Sequence, residues 1–211
     1  MPTLIEDTIA AISTPLGKSG LGVIRLSGQD SRRITLSLFS APHNDLQDRV
    51  PVLGNLFEPS TGDVIDQAVV TYFQAPRSFT REDLVEISCH GSPVILKGVL
   101  GLALEAGARL ASPGEFTLRA FLRGRIDLVQ AEAIRDLIEA QTLFQVKVAQ
   151  EQATGSISRR VRPVKEQLVQ LIALLEAGID FAEDDVSVLA EGEIGRRLSD
   201  IEAGLVPLRA S

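Results

Sequence analysis

The spacing of apolar residues changes near Ser112, and that change decides what the chain can fold into. Before it, short β-like runs at 8–13, 21–27, 50–57 and 66–73 predict β-strands, and 83–89 alternates apolar with polar residues at a period of two. Pro15, Gly17 and Gly20 punctuate the first two runs as a hairpin would, and the turn at 60–63 separates the next two. Residues 29–39 and 92–106 read as helices, the second opened by Pro93 and closed by Gly107, and 108–111 as a last strand. At Ser112, Pro113, Gly114, Glu115 a capping box predicts a helix running to about Leu122 and stopping at Gly124. Beyond Asp127 the spacing is helical: Val164, Leu168, Leu171, Leu175, then Ile194, Leu198, Ile201, Leu205, Leu208. The expected fold is an α+β N-terminal domain with a mixed β-sheet over residues 1–120, followed by an all-α partial helical bundle over 121–211. So few amphipathic helices cannot cover one another's apolar stripes, so the bundle is expected to be completed by a second copy, another protein or a further part of the polypeptide. No internal repeat or low-complexity tract interrupts this pattern.

With 211 residues, 45% of them hydrophobic, the chain can bury a core without metals or disulfides. Its one cysteine, Cys89, suits a reducing compartment. Residues 1–13 lack a basic start followed by an apolar run, and nothing approaches eighteen unbroken apolar residues, so neither export nor a membrane span is expected and the cytoplasm is the default. A net charge of -7 argues against a broad phosphate-gripping surface. The local run Arg159, Arg160, Arg162, Lys165 reads as a solvated helix face, and 4% aromatics with no tryptophan leave no platform for stacked bases.

Three apparent motifs dissolve on inspection. Gly17, Lys18, Ser19 resembles the end of a phosphate-binding loop, but Ile12 stands where the first glycine is needed, and the next segment reads as a strand rather than a helix. Cys89 and His90 are neighbours in a strand, point to opposite faces, and suit neither a shared metal nor a catalytic dyad; His43 has no companion either. The run Asp180, Glu183, Asp184, Asp185 lacks the glycine and closing glutamate of a calcium loop. No metal site is expected. What survives is three charges in apolar or turn-rich surroundings: Arg25 within Val23, Ile24, Leu26; Glu86 within Leu84, Val85, Ile87; and Arg125 after the capped helix. On residue type alone, strand charges of this kind are more often surface residues than ligand contacts.

Three ordered segments change that weight. They are Gly20-Leu21-Gly22-Val23-Ile24-Arg25-Leu26-Ser27-Gly28; Ser78-Phe79-Thr80 with Glu82, Asp83, Glu86, His90 and Gly91; and Pro113-Gly114-Glu115-Phe116-Thr117 leading through Arg119-Ala120-Phe121-Leu122 to Asp127-Leu128 and Gln130-Ala131-Glu132-Ala133-Ile134. Together with Ala177-Gly178-Ile179-Asp180-Phe181 they resemble the start of the tRNA modification GTPase family MnmE, also called TrmE, over essentially the whole chain.

The resemblance implies an N-terminal α/β domain that forms a homodimer and binds a 5-formyl-tetrahydrofolate-type cofactor, then a helical domain interrupted by a GTP-binding domain. It implies a whole protein acting on the wobble uridine (U34) of tRNA with GTP, magnesium and potassium, and a flavoprotein partner, MnmG. Neither the GTPase residues nor the family's C-terminal cysteine motif is among these positions. By the same resemblance the folate contacts fall on Arg25, Glu86 and Arg125. One carboxylate accepts the paired N–H groups of a pterin edge, which suits Glu86, and guanidinium forks suit the carboxylates of a folate tail. There are two departures. Arg125 stands where lysine is common, and Arg81 stands where glycine is usual, so an ordinary turn is expected at Arg81, a positive φ being disfavoured for arginine. Two other functions remain open: a stand-alone folate-dependent one-carbon transferase, with Asp83 and Glu86 as its only acid–base candidates, and a purely structural dimerisation module.

Overall fold

In a computed structural model, residues 6–40, 45–180 and 192–209 are described. The chain divides into two compact units, Met1–Ile126 and Asp127–Ser211. The first is built on a seven-stranded sheet of order β3-β4-β5-β6-β2-β1-β7, with β1 Ile9–Ile12, β2 Ser19–Ser27, β3 Phe39–Ser40, β4 Val52–Phe57, β5 Val64–Phe73, β6 Leu84–Gly91 and β7 Arg109–Leu110. Every strand pairing is antiparallel except β1 with β7, so the sheet is mixed, as expected. Helix α1 spans Ser31–Leu36 and α2 spans Pro93–Glu105. From β6, α2 carries the chain past β2 and β1 to reach β7, a parallel crossover that needs a helix of this kind.

Alternation gives the sheet two unlike faces. Ala10, Ile24, Leu26, Val70, Val85 and Ile87 are fully buried in one core with Ile34 of α1, Leu38 just after it, and Leu96, Val99 and Ala103 of α2. Each of the larger apolar side chains removed from water there contributes on the order of 1.5–3 kcal/mol. The opposite face is covered only in part. Ile9, Ser27 and Leu84 form one cross-strand row on it and are buried. Helix α3, Glu115–Leu122, is tied to the residues flanking that row, because Arg119 bonds both Asp7, just before β1, and Glu82, just before β6.

Three expectations need correction. The helix expected over 29–39 is only Ser31–Leu36, and Phe39 instead pairs with Leu56 as β3, its ring buried in the core. The capping box at Ser112 is half formed. Glu115 Oε2 accepts from the Ser112 amide at 2.7 Å, but the residue preceding α3 is Gly114 at φ +76°, and the Ser112 hydroxyl makes no hydrogen bond among the described residues. Glycine adopts that left-handed conformation without a Cβ penalty, which lets the chain enter α3 two residues later than expected. Arg81 is no ordinary turn residue either: its φ is +59°, the region that favours glycine.

Among its described residues the second unit is built of helices: α4 Leu128–Glu139, α5 Leu143–Ala153, α6 Ser156–Asp180 and α7 Glu193–Arg209. Two complete capping boxes start it, Asp127 with Gln130 at α4 and Thr142 with Gln145 at α5. Gln130 Nε2 also donates to the Ala153 carbonyl at 2.8 Å, so one amide caps the start of α4 and the end of α5. The seams of α6 and α7 meet closely, since a Cβ on Gly204 would sit 3.0 Å from Val164 Cγ2. Only Leu171 and Ile201 of those seams are buried. No helix among the described residues is long and apolar enough to cross a membrane.

Candidate functional site

Arg25 and Glu86 are direct cross-strand partners in the β2–β6 register, on the sheet face turned away from α1 and α2. Arg25 Nε donates to Glu86 Oε1 at 2.8 Å and Nη2 lies 2.7 Å from the same oxygen. Both side chains are partly exposed, and Glu86 Oε2 has no partner among the described residues. The row continues to Ala11 on one side and Thr71 on the other. One register step along lie Val23, Ser88, Val69 and Leu53. Of the apolar residues here, Leu53 is 59% exposed, and Leu21, also on β2, is 69% exposed. The pair therefore stands on an open sheet face that mixes exposed apolar with polar side chains.

Arg125 is exposed just beyond α3, held by its backbone amide to the Ala120 carbonyl at 2.8 Å. Its side chain has no hydrogen-bond or ion-pair partner among the described residues. So the structure pairs Arg25 with Glu86 and shows no bond from Arg125 to either among the described residues.

Sequence reasoning missed the ion cluster beside this site. Arg119, 1% exposed, donates through Nη1 to the Asp7 carbonyl at 2.7 Å and to Glu82 Oε2 at 3.2 Å, and pairs through Nη2 with the Asp7 and Glu115 carboxylates. Glu82, 4% exposed, also accepts from Arg123 at 2.7 Å and from the Ser27 hydroxyl at 2.7 Å. Arg109 bridges Asp7 and Glu115 from β7. A hydrogen bond from Arg109 holds the Glu115 carboxyl below its ordinary value. Burial alone would raise the Asp7 carboxyl, but bonds from Arg109 and Arg119 hold it low. Glu82 and Arg119 lie inside the matched sequence segments. Only the fold, which closes 37 and 112 residues of chain, shows that they are partners.

The remaining candidates sit as their chemistry suggests. Ser19 opens strand β2, so the Gly17-Lys18-Ser19 loop leads into a strand, not a helix. Cys89 is buried and its thiol is pushed up to about 11, first by burial and then by the Asp66 charge. His90 is exposed on the other face with Nδ1 2.7 Å from Asp66 Oδ1. Burial would raise the Asp66 carboxyl, and bonds from His90 lower it. His43 and the run from Glu183 to Asp185 lie outside the described residues. Tyr72 donates to Asp83 at 2.8 Å, and its hydroxyl is pushed up to about 12 by burial and that carboxylate. Among the described residues no three His, Cys, Asp or Glu side chains gather as metal ligands would. A groove of about 580 Å³ in the helical unit is lined by Ile157, Val161 and Val169 together with the charged Arg162, Lys165 and Glu166.

Comparison with known proteins agrees with this layout. The model described as GTP-binding protein TrmE N-terminus matches residues 8–125, and that of the MnmE helical domain matches 128–211. A tRNA modification GTPase MnmE of Koribacter versatilis is 52% identical over 207 residues, covering 97% of this chain and 46% of that protein. Those of Alkaliphilus oremlandii and Aquifex aeolicus are 44% and 41% identical, covering 96% and 95% of this chain and 47% and 44% of their own lengths. The chain spans about half the length of these relatives. With one model matching each unit and identity of this order along nearly its whole length, the chain belongs to the MnmE (TrmE) family of tRNA modification GTPases and carries that family's N-terminal and helical domains.

Proposed function

We propose that the N-terminal unit binds a reduced folate of the 5-formyl-tetrahydrofolate type through Arg25, Glu86 and Arg125, and dimerises through its open sheet face. The observation that carries this is the in-register Arg25–Glu86 pair, whose Glu86 Oε2 has no partner among the described residues. An N–H beside an amino group on a pterin edge would meet the Glu86 carboxylate, with Arg25 fixing that carboxylate's orientation. Arg125, unpartnered and exposed, suits an anionic tail. A bound folate would supply a one-carbon unit. The exposed Leu21 and Leu53 beside the pair support a second copy covering this face.

On this reading the chain is the folate-binding and helical part of a cytoplasmic enzyme that serves 5-carboxymethylaminomethyl modification of U34 in tRNA. Magnesium- and potassium-dependent GTP hydrolysis and the MnmG flavoprotein belong to the whole assembly. Titration with 5-formyl-tetrahydrofolate tests the reading. Saturable binding by the wild type and a loss of roughly tenfold or more in Glu86→Ala are expected. No saturable binding by the wild type removes the proposal, and a concentration-independent monomer mass in sedimentation removes the dimer.

A further inference from the structure

We infer that Glu82, which meets no ligand on this reading, is the positioning residue of the site and sets the mutual placement of Arg25, Glu86 and Arg125. The inference rests on the folate reading above. The Glu82 carboxylate is almost fully buried and bonds Ser27 on β2, the strand of Arg25, and Arg119 and Arg123 within and just after α3, the segment that leads to Arg125. Its Oε2 accepts from the Ser27 hydroxyl at 2.7 Å, two residues after Arg25 on β2. Its Oε1 accepts from Arg123 at 2.7 Å, two residues before Arg125 at the end of α3. Its own backbone leads, four residues on, to Glu86 in β6. Arg119 supplies the second charge the carboxylate needs, at 3.2 Å, and anchors the same helix to Asp7.

No other described side chain joins all three elements in this way. β2 and β6 are also joined by their ladder, so Arg25 and Glu86 stay in register without Glu82. The end of α3 has no ladder. Arg125 is therefore the member whose position depends most on the Glu82 spokes, helped by the Arg81 bond to the Arg123 carbonyl at 3.1 Å. A site residue held by one supporting layer loses function when that layer loosens, even though the contact residue itself is intact.

The test is a double-mutant cycle on the 211-residue chain, read by 5-formyl-tetrahydrofolate affinity, with circular dichroism and thermal melting alongside. Arg123→Ala removes one half-exposed spoke and is expected to fold; Glu82→Gln removes the charge at the centre. Each is expected to weaken binding roughly tenfold. The discriminating readout is coupling. If Glu82 acts through the end of α3, Arg125→Ala costs little further affinity in the Arg123→Ala or Glu82→Gln background. A merely structural role predicts losses that add in full, and additivity overturns the inference. Unchanged affinity in Arg123→Ala also overturns it while leaving the folate reading standing. Absence of wild-type binding overturns both. If Glu82→Gln fails to fold, the Arg123→Ala cycle decides alone.

Discussion

The two units bury themselves by different means. In the first, a row of large apolar side chains on the sheet disappears entirely beneath α1 and α2, and a cluster of three acids and three arginines pins α3 to the other face. In the second, the start of each early helix is fixed by local capping, and large apolar residues stay outside, Phe144 being 76% exposed. The difference separates long-range specification from local specification. The ion cluster of the first unit joins partners far apart in sequence, whereas the caps that start α4 and α5 join residues three apart, and the helical unit keeps apolar surface for something else to cover.

The largest effect expected from this contrast is at Arg119. Arg119→Ala would leave Glu82 buried beside a lost cation and is expected to cost the first unit about 3–5 kcal/mol, read by denaturant melting. A cost below about 1 kcal/mol would mean the cluster is peripheral. Acid should act on the same unit. Glu115 and Asp7 are held below their ordinary values of 4.5 and 3.8. A depressed carboxylate contributes stability that is present above its unfolded value and lost as pH falls through its folded one, so the first unit should weaken progressively as pH falls below the ordinary values of 4.5 and 3.8. A melt that stays flat over that range would break the link between the cluster and stability. At the start of α4, Asp127→Ala removes a side-chain cap and is expected to cost about 1 kcal/mol, seen as earlier loss of helical dichroism. The smallest effect is at Phe144. Phe144→Ser should change stability by less than about 0.5 kcal/mol while lowering binding of a hydrophobic dye; a large destabilisation would show that this side chain belongs to a packed core after all.

Much of the first unit could be read directly from the chain. The Leu21 to Ser27 run is a strand, and the alternation from Leu84 to Cys89 places Glu86 opposite Val85 and Ile87 as observed. The pairing of Arg25 with Glu86 could not be read, because register between strands 61 residues apart leaves no local mark. Ser112 misled for a related reason: Glu115 fits a capping box by spacing, yet its carboxylate is held chiefly by Arg109 of β7. The capping boxes at Asp127 and Thr142 carried an equally plain signature, a side-chain oxygen three residues before a glutamine, and were open to the same reasoning. Glu82 and Arg119 were visible as letters in the matched segments and silent as partners. Arg81 was misread by treating its propensity as decisive, when its guanidinium reaches the Arg123 carbonyl and repays part of the cost of a left-handed backbone.

That last contact has a consequence for motion. Arg81 lies in the turn before β6 and its side chain ends beside Gly124, the left-handed residue at which α3 stops. Two chain reversals far apart in sequence thus share one hydrogen bond, and the Glu82–Arg123 ion pair doubles the tie. In amide hydrogen exchange the two should open as a single cooperative unit, with the turn before Glu86 and the end of α3 exchanging together rather than each fraying at its own rate.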